Sequence, residues 1–506
     1  MKIVSRPHAT LALQGPQSSR RIEQIAQATL PPHSLMRRAG LGVARLALAL
    51  APHARIVWIA AGPGNNGGDG FEAAITLRQA GKAVHLTFAG DSARLPADAR
   101  DALARAQSAG VAIADDSVPA LGTQDLAIDA LLGIGASRAP DGEIAVRIAQ
   151  LSALACPLLA VDLPSGLNAF TGQPLGEGCV RATHTLSLLS LKPGLFTGHG
   201  RDLAGEVWFD DLGVDAGAAS PDAWLTGADE ARAARARRQH AQHKGSFGDV
   251  SIVGGAPGMT GAALLAARAA HAAGAGRVFV SLLDPGHAGQ DMALDAARPE
   301  LMFRSAWWAS PPDVVAATTV VCGCGGGEAV RGVLPRLLSV ARRLVLDADA
   351  LNAIAADSSL QTLLAARGAR GHASVLTPHP LEAARLLGLP TADVQADRLR
   401  SAQALAERFG CVVLLKGSGS VIAAPGRAPH INPTGNASLA TAGTGDVLAG
   451  WIGGLWAQDG SAERAFEIAV ASAYAHGAAA DGAGVMPLRA SDLVECMLKG
   501  CDAPQS

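Results

Sequence analysis

"ARIVWIAAGPGNNGGDGFEAAITLRQAG", residues 54–81, runs from a continuous apolar stretch through a glycine-rich turn into a segment with helical spacing that stops at Gly81. A strand buried on both faces and followed by a helix is the building unit of a parallel α/β sheet, and the turn between them is where such sheets collect ligands. Gly62, Gly64 and Gly67 spell G-x-G-x-x-G, the pattern that seats a dinucleotide diphosphate on a helix N-terminus. Asp91 follows at about the 20-residue distance of a ribose-binding acid. Yet Asn65, Asn66 and Asp69 occupy the turn itself. A carboxylate there opposes a diphosphate and favours a cation or a neutral polar group.

Outward from this unit the same alternation continues. "AVHLTFAG", "LAIDALLG", "PLLAVDLPSG" and "ATHTLSLLSLKPG" read as further buried strands in the first half. "GDVSIVGG", "GRVFVSLLD", "TTVVCGCG", "RRLVLDADA", "ASVLTPH" and "CVVLLKGSGSVIAAPG" do so in the second. Between them "DLGVDAGAASPDAWLTGADEA" is rich in Gly, Ala and Asp and carries Pro221, which marks a linker. The expected organisation is therefore two different α/β domains, residues 1–220 and 221–506, with no short-period repeat.

Composition narrows the partners. Of 506 residues, 49% are apolar, enough for two packed cores, and the net charge of −2 leaves no broad surface for tracking nucleic-acid phosphates. The basic cluster "ARAARARRQH" at 231–240 reads as a solvated helix face. No apolar stretch reaches the roughly 18 charge-free residues of a membrane helix, and "MKIVSRPHATLAL" lacks the apolar core of a signal peptide. Seven scattered cysteines, with one C-x-C pair at Cys322 and Cys324, form neither a zinc spacing nor a disulfide framework. Reduced, buried thiols in a cytoplasmic protein are expected.

Two more strand ends carry polar groups. Asp129 ends a strand in "AIDALLGIGASRAPDG", and Asp162 and Ser165 follow one in "LLAVDLPSGLNAFTG". Each aspartate alone also reads as a helix cap or turn former. Three such loops in one parallel sheet should converge at its carboxyl edge. Together, "GPGNNGGDG", "IDALLGIG", "VDLPSG" and "LKPGLFTG" resemble the NAD(P)H-hydrate epimerase domain over about residues 15–215. The resemblance implies a Rossmann-like three-layer α/β sandwich. It implies that Asn65, Asn66, Gly67, Gly68, Asp69, the loop Gly133, Ile134, Gly135, Ala136, Ser137, Arg138 and Ala139, and Asp162 contact the hydrated nucleotide. It also implies a potassium ion held by Asn66, Asp129 and Ser165, an all-oxygen set suited to a hard cation, with Asp162 as the acid/base.

In the second half Gly443-Thr444-Gly445-Asp446 directly precedes an apolar helical stretch. Backbone N–H groups there can hold an anion while Asp446 takes a proton from a hydroxyl, the two needs of phosphoryl transfer. A glycine turn with a capping aspartate is the plainer alternative. Lys416 begins a Lys-Gly-x-x-Ser turn, and His379 stands between two prolines, where a structural loop histidine is the leading reading of that residue alone. The chain prefers arginine, yet Lys192, Lys244 and Lys416 all fall in glycine-containing motifs; an ammonium suits a compact anion site differently from a guanidinium.

From "HKGSFGDVSIVGG" onward, "GMTGAALLAARAAHAAGAG", "TPHP", "KGSGS" and "GTGD" resemble the ribokinase-like ADP/ATP-dependent NAD(P)H-hydrate dehydratase. The resemblance implies that Ala262, Gly325, His379 and Asp446 touch the hydrated nicotinamide nucleotide. Lys416, Gly417, Ser418, Gly419, Ser420 and Gly445 would bind the adenine nucleotide, which brings magnesium. Four positions depart from the family pattern: Cys324 replaces a proline, Leu381 a glycine, Ser420 a threonine and Ala442 a glycine. A positive φ at 442 would cost alanine more than glycine.

Both halves together imply repair of hydrated NADH and NADPH: epimerisation of the R and S forms, then ADP-dependent dehydration of the S form to NAD(P)H, AMP and phosphate. The expected partners are NADHX or NADPHX, ADP, and further copies of the chain in a homo-oligomer, with no nucleic acid and no membrane. Two rivals stand beside this reading: a ribokinase-like small-molecule kinase fused to a regulatory domain, and a first half that serves only as a nucleotide-binding or interaction module.

Overall fold

The computed structural model describes residues 1–114, 117–215, 220–234, 238–283, 294–484 and 487–500. The chain divides into two compact units, Met1–Pro7 with Leu11–Leu225, and His8–Thr10 with Thr226–Ser506.

The strands of the first unit are β1 (Lys2–Ile3), β2 (Leu11–Leu13), β3 (Ile56–Ala61), β4 (Ala83–Phe88), β5 (Leu126–Ala130), β6 (Leu158–Val161), β7 (His184–Leu188), β8 (Glu206–Asp210) and β9 (Ala223–Leu225). Its main sheet has the order β1-β8-β7-β6-β5-β3-β4, with β3 to β8 parallel and β1 antiparallel at the edge. β2 and β9 form an antiparallel pair. Alternate residues serve two separate cores, as the two-residue period of a strand requires. Val57, Ile59 and Ala61 pack with Leu126, Ile128, Ala130, Leu159 and Val161 beneath helices Ser34–Leu50, Asn65–Gln79 and Ala97–Ser108. Trp58 and Ala60 pack with Ala127, Leu158 and Ala160 beneath helix Gly142–Ser152. The result is three layers, helices on both faces of a parallel sheet.

The glycine stretch is not a loop leading to the helix. Helix Asn65–Gln79 starts inside it, from an extended Gly64. The glycines let the first two turns lie against the strand ends: a Cβ on Gly67 would stand 2.0 Å from the Gly62 carbonyl oxygen, and one on Gly70 2.8 Å from Ala130 Cβ.

The second unit contains β10 (Asp249–Gly254), β11 (Arg277–Leu282), β12 (Met302–Phe303), β13 (Thr319–Cys322), β14 (Arg343–Leu346), β15 (Ala373–Leu376), β16 (Val412–Leu415), β17 (Val421–Ala423) and β18 (His430–Ile431). They lie in the order β12-β11-β10-β13-β14-β15-β16-β17-β18, parallel as far as β16 and antiparallel beyond. Val250, Ile252, Val278, Val280, Val321 and Val345 share a core with helices Thr260–Ala272, Thr444–Asp459, Ala465–Gly482 and Ala490–Gly500. The alternate residues Val320, Cys322, Leu344 and Leu346 are equally buried on the other face.

Three sequence expectations need correction. "CVVLLKGSGSVIAAPG" is two strands, β16 and β17, because Gly417 (φ 138°) and Gly419 (φ 61°) turn the chain back on itself. The stretch read as linker contains β9, whose Ala-Trp-Leu pairs with β2, and its residues 216–219 lie outside the described residues. The basic cluster is not one solvated helix face. Helix Ala228–Ala233 covers only its start, 235–237 lie outside the described residues, and Arg238 stacks 4.0 Å from the Phe247 ring centroid. Among the described residues no helix is long and apolar enough to cross a membrane, and Cys156, Cys179, Cys322, Cys324, Cys411 and Cys496 are free thiols.

Candidate active sites

A cavity of about 620 Å³ opens in the first unit at the carboxyl ends of β3, β5, β6 and β7. Its wall contains Asn65, Asn66, Asp69, the run 133–139 and Asp162, together with Glu23 and Lys192. Gly67 and Gly68 do not line it. They face inward, where a Cβ on Gly68 would meet Met36 Cε at 2.6 Å. Asp91, the ribose-binding candidate of the dinucleotide reading, instead accepts from the Ala93 N–H at 2.9 Å and caps an exposed 3-10 turn.

Asp162 leaves β6 in the left-handed region, φ 66°, a conformation unusual for a residue with a Cβ. Its carboxylate accepts from the Lys192 ammonium and, at 3.2 Å, from the Leu188 N–H. Lys192 is 2% exposed and also donates to the carbonyls of Leu188 at 2.7 Å and Ser190 at 2.8 Å. The buried cation is therefore fully bonded, and it binds Asp162 to the loop after β7. Asp69 has no such partner. Burial, then the charges of Asp162 and Glu23, holds its carboxyl well above the ordinary carboxylate range. Burial and then Asp162 raise Glu23 as well. One carboxylate paired with a cation beside two that resist ionisation is the kind of environment that separates a base from an acid.

Behind this wall lies Asp129, wholly buried. It accepts from the Ser165 hydroxyl at 2.6 Å, the Ser165 N–H at 2.8 Å and the Leu131 N–H at 3.2 Å. Burial pushes its pKa up to about 6, with the Ser165 bonds opposing, and no cationic side chain offsets it. Ser165 Oγ also accepts from the Leu132 N–H at 2.8 Å. Gly133 follows, and a Cβ there would stand 3.3 Å from Asn66 Oδ1. Asn66 Nδ2 is buried with no hydrogen-bond partner. The Asp129 carboxylate without a counter-cation, the Ser165 hydroxyl and the Asn66 amide oxygen are oxygen donors of the kind a hard monovalent cation takes. The unmet Asn66 Nδ2 is an N–H donor and would face away from such an ion.

In the second unit the sequence candidates gather at the carboxyl ends of β13 to β16 and the N-terminus of helix Thr444–Asp459. A Cβ on Gly325 would stand 3.0 Å from Ala262 Cβ, so those two positions touch. The Lys416 N–H donates to the Pro378 carbonyl at 2.9 Å, which brings the Lys-Gly-x-x-Ser turn beside His379. A Cβ on Gly445 would stand 3.3 Å from Lys416 Nζ. The Ser420 hydroxyl bonds back to the Gly417 carbonyl at 3.2 Å. Gly443, φ 91°, carries the left-handed conformation of the turn, and Ala442 is not among the residues with positive φ. His476 bonds the Thr444 carbonyl at 2.9 Å and is pushed down to about 4 by burial, so its neutral ring braces the turn from behind. His379 also serves the fold, since its Nδ1 caps helix Pro380–Leu387 while Glu382 accepts from the His379 N–H at 2.8 Å. Its Nε2 lies 3.3 Å from Glu382 Oε1, on a half-exposed side chain.

Asp446 meets Asp347 and Cys324, one ligand atom of each lying within 4.8 Å of the others. Burial, then the Asp347 charge, pushes Asp446 up to about 6, while the Cys324 thiol and Lys416 pull it down. Burial, then Asp446, holds the Cys324 thiol well above its ordinary value. Lys416 donates to Asp347 Oδ1 at 2.7 Å. A thiol in the set and an ammonium on Asp347 do not make the oxygen cage that magnesium takes.

Asp347, Asp349, Glu382 and Glu23 were not singled out from the sequence. The first was within reach: "LVLDADA" ends a buried strand on an aspartate, as "AIDA" and "AVDL" do. Of the three lysines in glycine motifs, Lys192 and Lys416 each sit buried or partly buried on a strand-end aspartate, and Lys244 is exposed on a 3-10 turn.

Comparison with known proteins finds relatives for both halves. The family model described as YjeF-related protein N-terminus matches residues 32–194, and the one described as NAD(P)H-hydrate dehydratase matches residues 250–495. The bifunctional NAD(P)H-hydrate repair enzyme Nnr of Escherichia coli is 38% identical over 454 residues, 89% of this chain and 85% of that protein. The ADP-dependent (S)-NAD(P)H-hydrate dehydratase of Neisseria meningitidis is 44% identical over 191 residues, 37% of this chain and 62% of that protein. Among solved structures, the Bacillus subtilis ADP/ATP-dependent NAD(P)H-hydrate dehydratase co-crystallised with ATP/Mg2+ is 28% identical, covering 54% of this chain and 95% of that one with a TM-score of 0.43. Because the Escherichia coli protein is matched across both halves and along most of its own length, the chain belongs to the family of bifunctional NAD(P)H-hydrate repair enzymes.

Proposed function

We infer that this chain repairs hydrated NADH and NADPH, with the first unit interconverting the R and S epimers and the second dehydrating the S form at the expense of ADP. The observation that carries the reading is Asp446 on the first turn of a helix, beside Lys416 and the backbone of Gly445. That arrangement offers an anion cradle and a proton acceptor in one place.

In the first site the nicotinamide ring nitrogen expels the C6 hydroxyl, and water returns to the opposite face. Asp69, resistant to ionisation, gives a proton to the departing oxygen, and Asp162, held by Lys192, takes one from the entering water. Asn65 and the 133–139 loop grip the rest of the nucleotide. Asn66, Asp129 and Ser165 would hold potassium, which supplies the positive charge that Asp129 lacks.

In the second site Asp446 takes the proton of the C6 hydroxyl as that oxygen bonds to the β-phosphorus of ADP and AMP leaves. The C6–O bond then breaks with its electron pair leaving on phosphate, the C5 proton passes to water, and the 5,6 double bond re-forms. Ala262, Gly325 and His379 border the nicotinamide side. Gly417, Ser418, Gly419 and Ser420 border the adenine nucleotide, and magnesium arriving with the nucleotide would supply positive charge to its phosphates. A simple small-molecule kinase would leave a stable phosphorylated product, and the match over both halves does not favour it.

Incubation with hydrated NADH and ADP should restore the NADH absorbance band and release phosphate; a stable phosphoester without NADH would reject the reading. The proposal extends to a cytoplasmic homo-oligomer, which light scattering tests, and to two separately folding domains meeting near residue 220. Limited proteolysis should cut near there and leave two stable fragments; cuts scattered through either half would count against it.

A further inference from the structure

We propose that Asp347 is a positioning residue of the second site: it fixes the Lys416 ammonium against the Gly443–Asp446 turn, where the transferring phosphoryl group would sit. This rests on the dehydratase reading of that site and assigns a role to a residue that the reading does not use.

The geometry is specific. Asp347 follows β14 and is 1% exposed. Its backbone is fixed on one side by donation of its N–H to the Cys322 carbonyl at 3.1 Å. On the other side Gly323, φ 119°, comes so close that a Cβ there would stand 1.9 Å from the Asp347 carbonyl oxygen. Oδ1 accepts from Lys416 Nζ at 2.7 Å. A Cβ on Gly445 would stand 3.3 Å from that ammonium and 3.8 Å from Asp347 Oδ2. The ion pair therefore lies directly under the backbone whose N–H groups begin helix Thr444–Asp459.

A lysine on a four-carbon stem is a flexible point charge, and a phosphoryl group needs it in one place. The rigid strand end of β14 supplies that place. Burial works against the Lys416 charge, but Asp347 and then Glu382 outweigh it and keep the group cationic. The groups facing Asp446 are Cys324 from the β13 turn, Asp347 and Asp349 from the β14 turn, and Lys416 from the β16 turn. Removing the Asp347 charge removes the like-charge neighbour nearest Asp446, so Asp446 should then ionise at lower pH.

The test is a double-mutant cycle on the full chain with hydrated NADH and ADP. Asp347→Asn should lower kcat of dehydration about 100-fold, the scale of a misplaced reacting group. It should leave epimerisation unchanged and move the acid limb of the dehydratase pH profile downward. If Asp347 acts through Lys416, Asp347→Asn on top of Lys416→Met costs little beyond Lys416→Met alone. Near-normal dehydration by Asp347→Asn, or losses that multiply in the double variant, would overturn the proposal. Should Asp347→Asn unfold more readily, Asp347→Glu decides: partial return of rate at equal stability supports the role, and rates that merely track stability refute it. A wild-type chain that fails to regenerate NADH at all would reject the dehydratase reading itself, a different result from any of these.

Discussion

Ser165 meets Asp129 twice, its hydroxyl on one carboxylate oxygen at 2.6 Å and its N–H on the other at 2.8 Å. This clamp joins the loop after β6 to β5 and leaves a buried carboxylate with hydrogen bonds but no positive charge. If potassium supplies that charge, Asp129→Ala should slow epimerisation at least 10- to 100-fold, roughly the usual cost of disturbing a metal environment. It should also flatten the dependence on potassium. The check is epimerisation rate against potassium concentration; a mutant curve of unchanged shape removes Asp129 from the cation site.

Lys192 should be a stability residue as well as a site residue. Lys192→Met leaves Asp162 with only 8% exposure and no cation, and breaking one side of a buried pair costs about 3–5 kcal/mol. Thermal unfolding of the first unit should drop accordingly. Lys192→Met combined with Asp162→Asn should regain part of the loss while remaining inactive as an epimerase. A single variant as stable as the wild type would show that the pair does not hold the loop.

The sheet was legible because its strands are buried on both faces and so appear as unbroken apolar runs. β8 was not, since "EVWFD" carries an acid at each end and only three apolar residues between. The position of Asp129 and Asp162 at the carboxyl edge followed from the same rule that finds strands. What their carboxylates meet did not, because Lys192 and Ser165 reach them from other loops through tertiary packing. The glycine run misled in one respect. It looks like a flexible phosphate loop, but Gly67 and Gly70 are small so that a helix can touch strand backbone and Ala130. Asp347 carried a readable signal, a strand ending on an aspartate, while its partnership with Lys416 spans 69 residues of chain and has no local trace.

Dehydration should depend on pH through Asp446. A general base works ionised, and burial followed by the Asp347 charge places this carboxyl at about 6. The rate should therefore rise with pH through about 6 and fall away below it, with Lys416 and the Cys324 thiol opposing the upward shift. Epimerisation, carried by other groups, need not share that limb. A dehydratase profile flat from well below 6 upward would contradict the assignment of Asp446 as the base.

Phosphoryl transfer in the second site turns on Asp446 accepting the hydroxyl proton, and Asp446→Asn isolates that step. The amide has similar size, and Asp446 makes no capping bond that would be lost, since Gly443 is the N-cap and no side chain caps the helix, so ADP binding and the fold should survive. Loss of a general base costs about 100- to 10,000-fold in rate. Both half-reactions should be measured on the same mutant protein with hydrated NADH and ADP. Dehydration should fall by at least that order with epimerisation untouched; near-normal ADP-dependent recovery of NADH would contradict the role given to Asp446.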